Sequence, residues 1–113
     1  MQEIEDILRV EGVLAAGEFS QQGQLLGFKT NQGFELSESQ AAEVAASCAK
    51  AHAAMQGFGE EMSEHLSDTW NPPVGWMYAA GKYTVAIGNG FGVFVDSFSV
   101  DFNDLFNAIA GSR

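Results

Sequence analysis

The sequence predicts an α/β (α+β) three-layer sandwich: a five-stranded, mostly antiparallel sheet with one long middle helix on one face and the terminal helices on the other, in the order α-β-β-α-β-β-β-α. Three observations predict it. Ser37 to about Ser67 carries a long helical pattern. Short strand-like runs stand on either side, two before it and three after, joined within each group by tight-turn residues. The last two runs, Y-T-V-A-I-G and F-G-V-F-V-D, are apolar or small at nearly every position, as in strands covered on both faces. Two strands alone are marginal, so both groups belong to one sheet, and consecutive hairpins make it mostly antiparallel. Residues 1–113 read as a single domain.

The first helix is short and amphipathic, with Ile4, Ile7, Leu8 and Val10 on its apolar side. Its acids Glu3, Glu5 and Asp6 lie in the first turns, where the helix dipole favours them, and Gly12 ends it. Val13–Phe19 and Gln24–Thr30 flank the polar turn Ser20-Gln21-Gln22-Gly23, a hairpin signal. Asn31-Gln32-Gly33 then leads to the long helix. Ser37 and Gln40 form a capping box, each side chain placed to satisfy a backbone N–H of the other, and Leu36 with Ala41 makes a hydrophobic staple.

Along that helix Ala41, Ala45, Cys48, His52, Met55, Gly59, Met62 and Leu66 recur at alternating steps of four and three. That 3.5-residue period is the period of a seam between helices. A second stripe, Ala42, Ala46, Ala49 and Ala53, is small enough for close approach to another element. Two contact faces on one helix suggest one for the sheet and one for a second chain. Gly57-Phe58-Gly59 marks either a close approach of two backbones or a kink, since each interior glycine costs about 1 kcal/mol relative to alanine. Pro72-Pro73 stops any helix and leads in extended form to Val74–Ala80. Gly81-Lys82 and the favoured hairpin pair Asn89-Gly90 connect that run to Tyr83–Gly88 and Phe91–Ser97. Asp101 caps a final helix with Phe102, Leu105, Phe106 and Ile109 on one face.

The chain carries 15 acidic and 5 basic residues, a net charge of −10. Such a surface repels phosphate backbones and anionic lipid, so neither nucleic acid nor a membrane surface is an expected partner. No apolar run approaches the roughly 20 residues that span a bilayer. The acidic start, M-Q-E-I-E-D, is opposite in charge to a secretory signal. Cys48 is the single cysteine, so no intrachain disulfide forms, and a reducing cytoplasm fits.

Candidate chemistry is sparse. G-N-G-F-G (Gly88–Gly92) joins two strands, whereas a phosphate loop must lead into a helix N-terminus, and no G-x-x-x-x-G-K-[ST] is present. Cys48 and His52 are one helical turn apart and could supply half of a tetrahedral metal site, completed by the same pair from a second chain. The plainer reading is a buried, inert thiol beside a hydrogen-bonded interface histidine. As a nucleophile–base pair they lack an orienting third group. Glu60, Glu61, Glu64 and Asp68 form a solvated acidic face without the loop geometry of a calcium site, and His65 suits the helix C-terminus. Trp70, Trp76 and Tyr78 gather beside Pro72-Pro73, with Trp76 and Tyr78 on one strand face. They fit a partner anchor, a ligand groove or core.

Three stretches, I-L-R-V-E-G-V-L-A-A-G-E-F, G-W-M-Y-A-A-G-K-Y-T-V-A-I-G and G-V-F-V-D, with the element order, resemble the roadblock/dynein-light-chain superfamily, whose plan is profilin-like. The first two are similar to a small bacterial family of roadblock-like proteins without an assigned function. The resemblance implies a homodimer in which middle helices pair and third strands join two sheets edge to edge. It also implies a non-enzymatic platform for small GTPases or motor complexes. The expectation is therefore a non-catalytic homodimeric scaffold regulating a small GTPase or an enzyme complex, without a cofactor. The alternative is a ligand- or metal-sensing module using the dimer groove at Cys48 and His52. Ala45, Cys48, His52, Met55, Trp76 and Tyr78 are the expected dimer or partner contacts.

Overall fold

The computed structural model describes residues 4–110, so Glu3 of the first helix lies outside the described residues. The elements are α1 (Ile4–Leu8), β1 (Val13–Phe19), β2 (Leu25–Thr30), α2 (Glu38–His65), β3 (Gly75–Ala80), β4 (Tyr83–Gly88), β5 (Phe91–Asp96) and α3 (Phe102–Ala110), with a 3-10 turn at Asp68–Trp70. The five strands form one sheet in the order β2-β1-β5-β4-β3, and every neighbouring pair is antiparallel. The predicted element order and three-layer plan are present.

Hairpin chemistry builds the sheet. Asn89 (φ 51°) and Gly90 (φ 81°) both occupy the left-handed region, the conformation a two-residue hairpin of this twist requires. The Ser20 backbone closes the β1–β2 turn through Ser20 N–H to Gln24 O (2.9 Å) and Gly23 N–H to Ser20 O (2.9 Å).

The strands sort their side chains between two layers. Val13, Ala16, Ala86, Phe91, Val93 and Val95 pack with Ile7, Leu105 and Ile109 on the side of the terminal helices. Asp101 Oδ1 accepts from the N–H of Asn103 (2.9 Å) and Asp104 (3.2 Å), fixing the start of α3 so that Leu105 and Ile109 point inward. Phe102 and Phe106, expected on the same apolar face, stay largely exposed.

The other layer is α2. Its capping box is complete, with Ser37 Oγ accepting from Gln40 N–H (3.1 Å) and Gln40 Oε1 accepting from Ser37 N–H (3.0 Å). The helix runs unbroken through Gly57-Phe58-Gly59. A Cβ at Gly59 would lie 3.0 Å from the carbonyl oxygen of Trp70, whereas one at Gly57 would meet nothing within 4 Å. Close approach by the returning chain, rather than a kink, therefore accounts for Gly59.

The helix is rotated differently from the sequence expectation. Ala41, Ala45 and Cys48 of the 3.5-residue seam are buried within the chain, facing Ala15, Gly17 and Gly92 of the sheet. The second stripe serves the chain too. A Cβ at Gly23 would lie 3.1 Å from Ala46 Cα and 3.5 Å from Ala49 Cβ, so small residues here let the β1–β2 turn close over the helix. Ala46 and Ala49, read from the sequence as part of a face for a second chain, thus make a contact within the chain. Ala45 and Cys48, expected at a dimer contact, are buried against the chain's own sheet, and Cys48 also borders the open space between α2 and β3.

Candidate functional site

The covering of the sheet by α2 is lopsided. The helix packs on β1 and β2 and reaches Gly92 of β5 through Cys48, while on the same sheet face Ile87 is buried, Val85 and Phe94 are half-buried and Tyr78 is open. Between α2 and β3 runs an apolar trough of about 380 Å³ whose walls include Val44 and Ala51 from the helix and Trp76, Tyr78, Val85 and Phe94 from the strands. Alternation explains the strand contribution. Trp76 pairs with Ile87 and Tyr78 with Val85, so all four side chains share one face. Tyr78 is 63% exposed, and on the reverse face Met77 is 50% exposed. Phe34 extends the aromatic surface, meeting Phe94 (6.0 Å) and Tyr83 (6.5 Å) edge to face.

β3 is an edge strand of the sheet. Its sequence, G-W-M-Y-A-A, holds no charge, and its register with β4 runs without a bulge. Five of its six residues are exposed, Trp76 being the exception.

Trp76 is held by the helix. Its indole Nε1–H donates to His52 Nδ1 at 3.1 Å. An indole can only donate, so His52 Nδ1 is the acceptor of this bond. His52 also borders a second, more polar hollow of about 580 Å³ with Ser20, Gln21, Gln56 and Asn89. Sequence reasoning singled out both His52 and Trp76 without joining them, because 24 residues separate them and nothing local pairs them.

Cys48 behaves differently. It is a free, buried thiol, and burial pushes its pKa up, away from the thiolate that metal ligation or nucleophilic attack requires. With Nδ1 of His52 engaged by Trp76, the two residues have separate roles within the chain. Among the described residues no group of three or more His, Cys, Asp or Glu side chains could hold a metal ion. Met55 is half-buried on the helix, followed one turn later by Phe58, 52% exposed. The helix surface beside the trough is therefore Val44, Ser47 and Ala51, continuing toward Met55 and Phe58. Its mixed polarity concealed Val44, Ser47 and Ala51 in the sequence.

The G-N-G-F-G run is the β4–β5 hairpin, as read from the sequence. Among the described residues no helix is long and apolar enough to cross a membrane.

Solved structures share this architecture. A roadblock/LC7 domain from Streptomyces avermitilis superposes with a TM-score of 0.70 at 13% identity, covering 98% of this chain and 91% of its own. The gliding protein MglB from Thermus thermophilus gives 0.74 at 13% identity over 93% of this chain and 76% of its own. An MglB in a tetrameric arrangement gives 0.76 at 14% identity over 93% and 75%. At these identities the likeness establishes a roadblock-like fold. None of the curated proteins compared with the chain matches it. Residues 3–111 match the family described as an uncharacterized conserved protein, DUF2173, and the chain is a roadblock-fold member of that family.

Proposed function

We propose that the protein is a non-catalytic homodimeric interaction module of the cytoplasm. Two copies join through β3, edge to edge, and each lays the outer face of its long helix (Val44, Ser47, Ala51, Met55, Phe58) over the trough at the junction. The joined surface then receives a protein partner. The roadblock resemblance points to a small GTPase or an enzyme complex as its class.

One observation carries this reading: an uncharged, bulge-free edge strand stands beside an apolar trough, and both are open in the single chain. Bare edges invite pairing with another strand, and natural sheets usually block them. Tyr and Trp supply the anchoring contacts that dominate protein interfaces. The burial of Cys48 and the engagement of His52 favour this reading over a shared metal centre.

Sedimentation of the purified chain at micromolar concentration tests it. The expected mass is that of two chains, and Tyr78→Lys, at an exposed position, should give a folded single chain. A wild-type mass of one chain would overturn the proposal. For the partner, nucleotide-loaded small GTPases from the same cell should bind the wild type and lose binding to the Tyr78→Lys monomer. Equal binding by both would show that the composite surface is not the docking site.

A further inference from the structure

We propose that the Trp76–His52 hydrogen bond is a proton-sensitive tie between the long helix and the free sheet edge, so that protonation of His52 loosens the edge and weakens its union with a second copy. This rests on the homodimer reading above.

The geometry supplies the mechanism. Trp76 Nε1–H is a donor that cannot reverse its role, and His52 Nδ1 receives it at 3.1 Å. When His52 takes up a proton, Nδ1 becomes a donor as well. Two N–H groups then face each other and the bond is lost. Histidine is the side chain whose charge changes in the physiological range. Trp76 is one residue inside β3, and its neighbour Tyr78 shares its face. The anchor released by His52 is therefore part of the edge that joins the second copy.

The surroundings leave His52 as the responsive group. From its own helix the thiol of Cys48, kept protonated by burial, lies one turn before it and the neutral Gln56 one turn after. The β1–β2 turn contributes Ser20 and Gln21, the β4–β5 turn Asn89 and Gly90, and the approach to β3 Pro73 and Val74. None of these is charged. In the adjoining trough Glu43 and Tyr78 complete the titratable set.

The sign separates this tie from bulk charge. The chain carries −10, so two copies repel. Protonating His52 and His65 lowers that repulsion, and on charge alone acidification would tighten a dimer. Loss of the tie predicts the reverse.

The test measures the dimer dissociation constant by sedimentation at about pH 8 and about pH 5.5, a window that leaves most carboxylates ionised. Wild type should weaken roughly fivefold on acidification, the scale of losing a hydrogen bond. In His52→Gln the side-chain oxygen can accept from the indole at either pH. That variant should remain dimeric without the acid weakening, while His65→Gln should retain it. Trp76→Phe should give a weaker dimer that no longer weakens on acidification. In parallel, the Trp76 indole N–H resonance of wild type should shift over the same window, and that of His52→Gln should not. A wild-type dimer that tightens or holds constant on acidification overturns the proposal. So does an indole resonance that stays fixed. Should the chain be monomeric at both pH values, the homodimer reading fails, and the indole resonance still decides whether the tie itself responds to protons.

Discussion

The two edges of the sheet face the same hazard and meet it in opposite ways. β2 is guarded. Lys29 stands on it and pairs with Glu5 of α1, an exposed contact whose hydrogen bond holds the Glu5 carboxyl below its usual range. The register with β1 slips at Glu18/Phe19, leaving Leu26 unpaired as a bulge, and both α1 and α2 pack on the strand. Lysines, bulges and covering helices are devices that keep an edge from recruiting another strand. β3 has none of the first two and is left open on both faces at Met77 and Tyr78. The contrast teaches that the bare edge is selective: one chain closes one side of its sheet and leaves aromatics on the other.

Substitutions on the two sides of α2 should break that contrast most sharply. Ala45 is 4% exposed against the sheet, so Ala45→Glu buries a carboxylate and should cost roughly 3 kcal/mol or more in denaturant unfolding. Ala51, on the trough side, should accept Glu with a much smaller loss of stability, and the protein should become monomeric. Equal unfolding by both would mean that the trough is core.

The edges themselves come next. Tyr78→Lys on β3 should weaken association by about 2 kcal/mol or more. Leu26→Lys on β2, at a position 59% exposed, should change association and stability by no more than about 0.5 kcal/mol. Similar losses from both would erase the distinction between guarded and bare edges.

Smaller effects report how the guarded side closes. Gly23 has φ 84° and sits against Ala46, so Gly23→Ala should lower stability by about 1–2 kcal/mol and leave the association of folded chains unchanged. Gly57→Ala should stabilise by up to about 1 kcal/mol, since a Cβ there meets open space, whereas Gly59→Ala should gain nothing against the Trp70 carbonyl. Thermal melts of the pair give the comparison directly.

Much of this architecture was legible from local chemistry. Ser37 with Gln40 set the start of α2, Asn89-Gly90 set a hairpin, and Pro72-Pro73 separated helix from strand, because caps and turns depend on residues close in sequence. The rotation of α2 was not legible. A 3.5-residue period shows that a face is covered without saying by what, and here the cover is the chain's own sheet. Ala46 and Ala49 look like a helix-pairing stripe until Gly23 arrives from the first hairpin. The outward face mixes Ser47 with Val44 and Ala51, so periodicity passes over it. The Trp76–His52 pair depends on how α2 lies across the sheet, a tertiary fact that no spacing encodes.

Amide hydrogen exchange of β2 and β3, followed residue by residue from dilute to concentrated protein, tests the central claim most directly. Edge amides exchange quickly unless a partner strand covers them. The outward amides of β3 should gain protection as concentration rises while those of β2 do not change. Exchange at β3 that is independent of concentration, or protection rising equally on both edges, would contradict the claim that β3 is the edge through which two copies join.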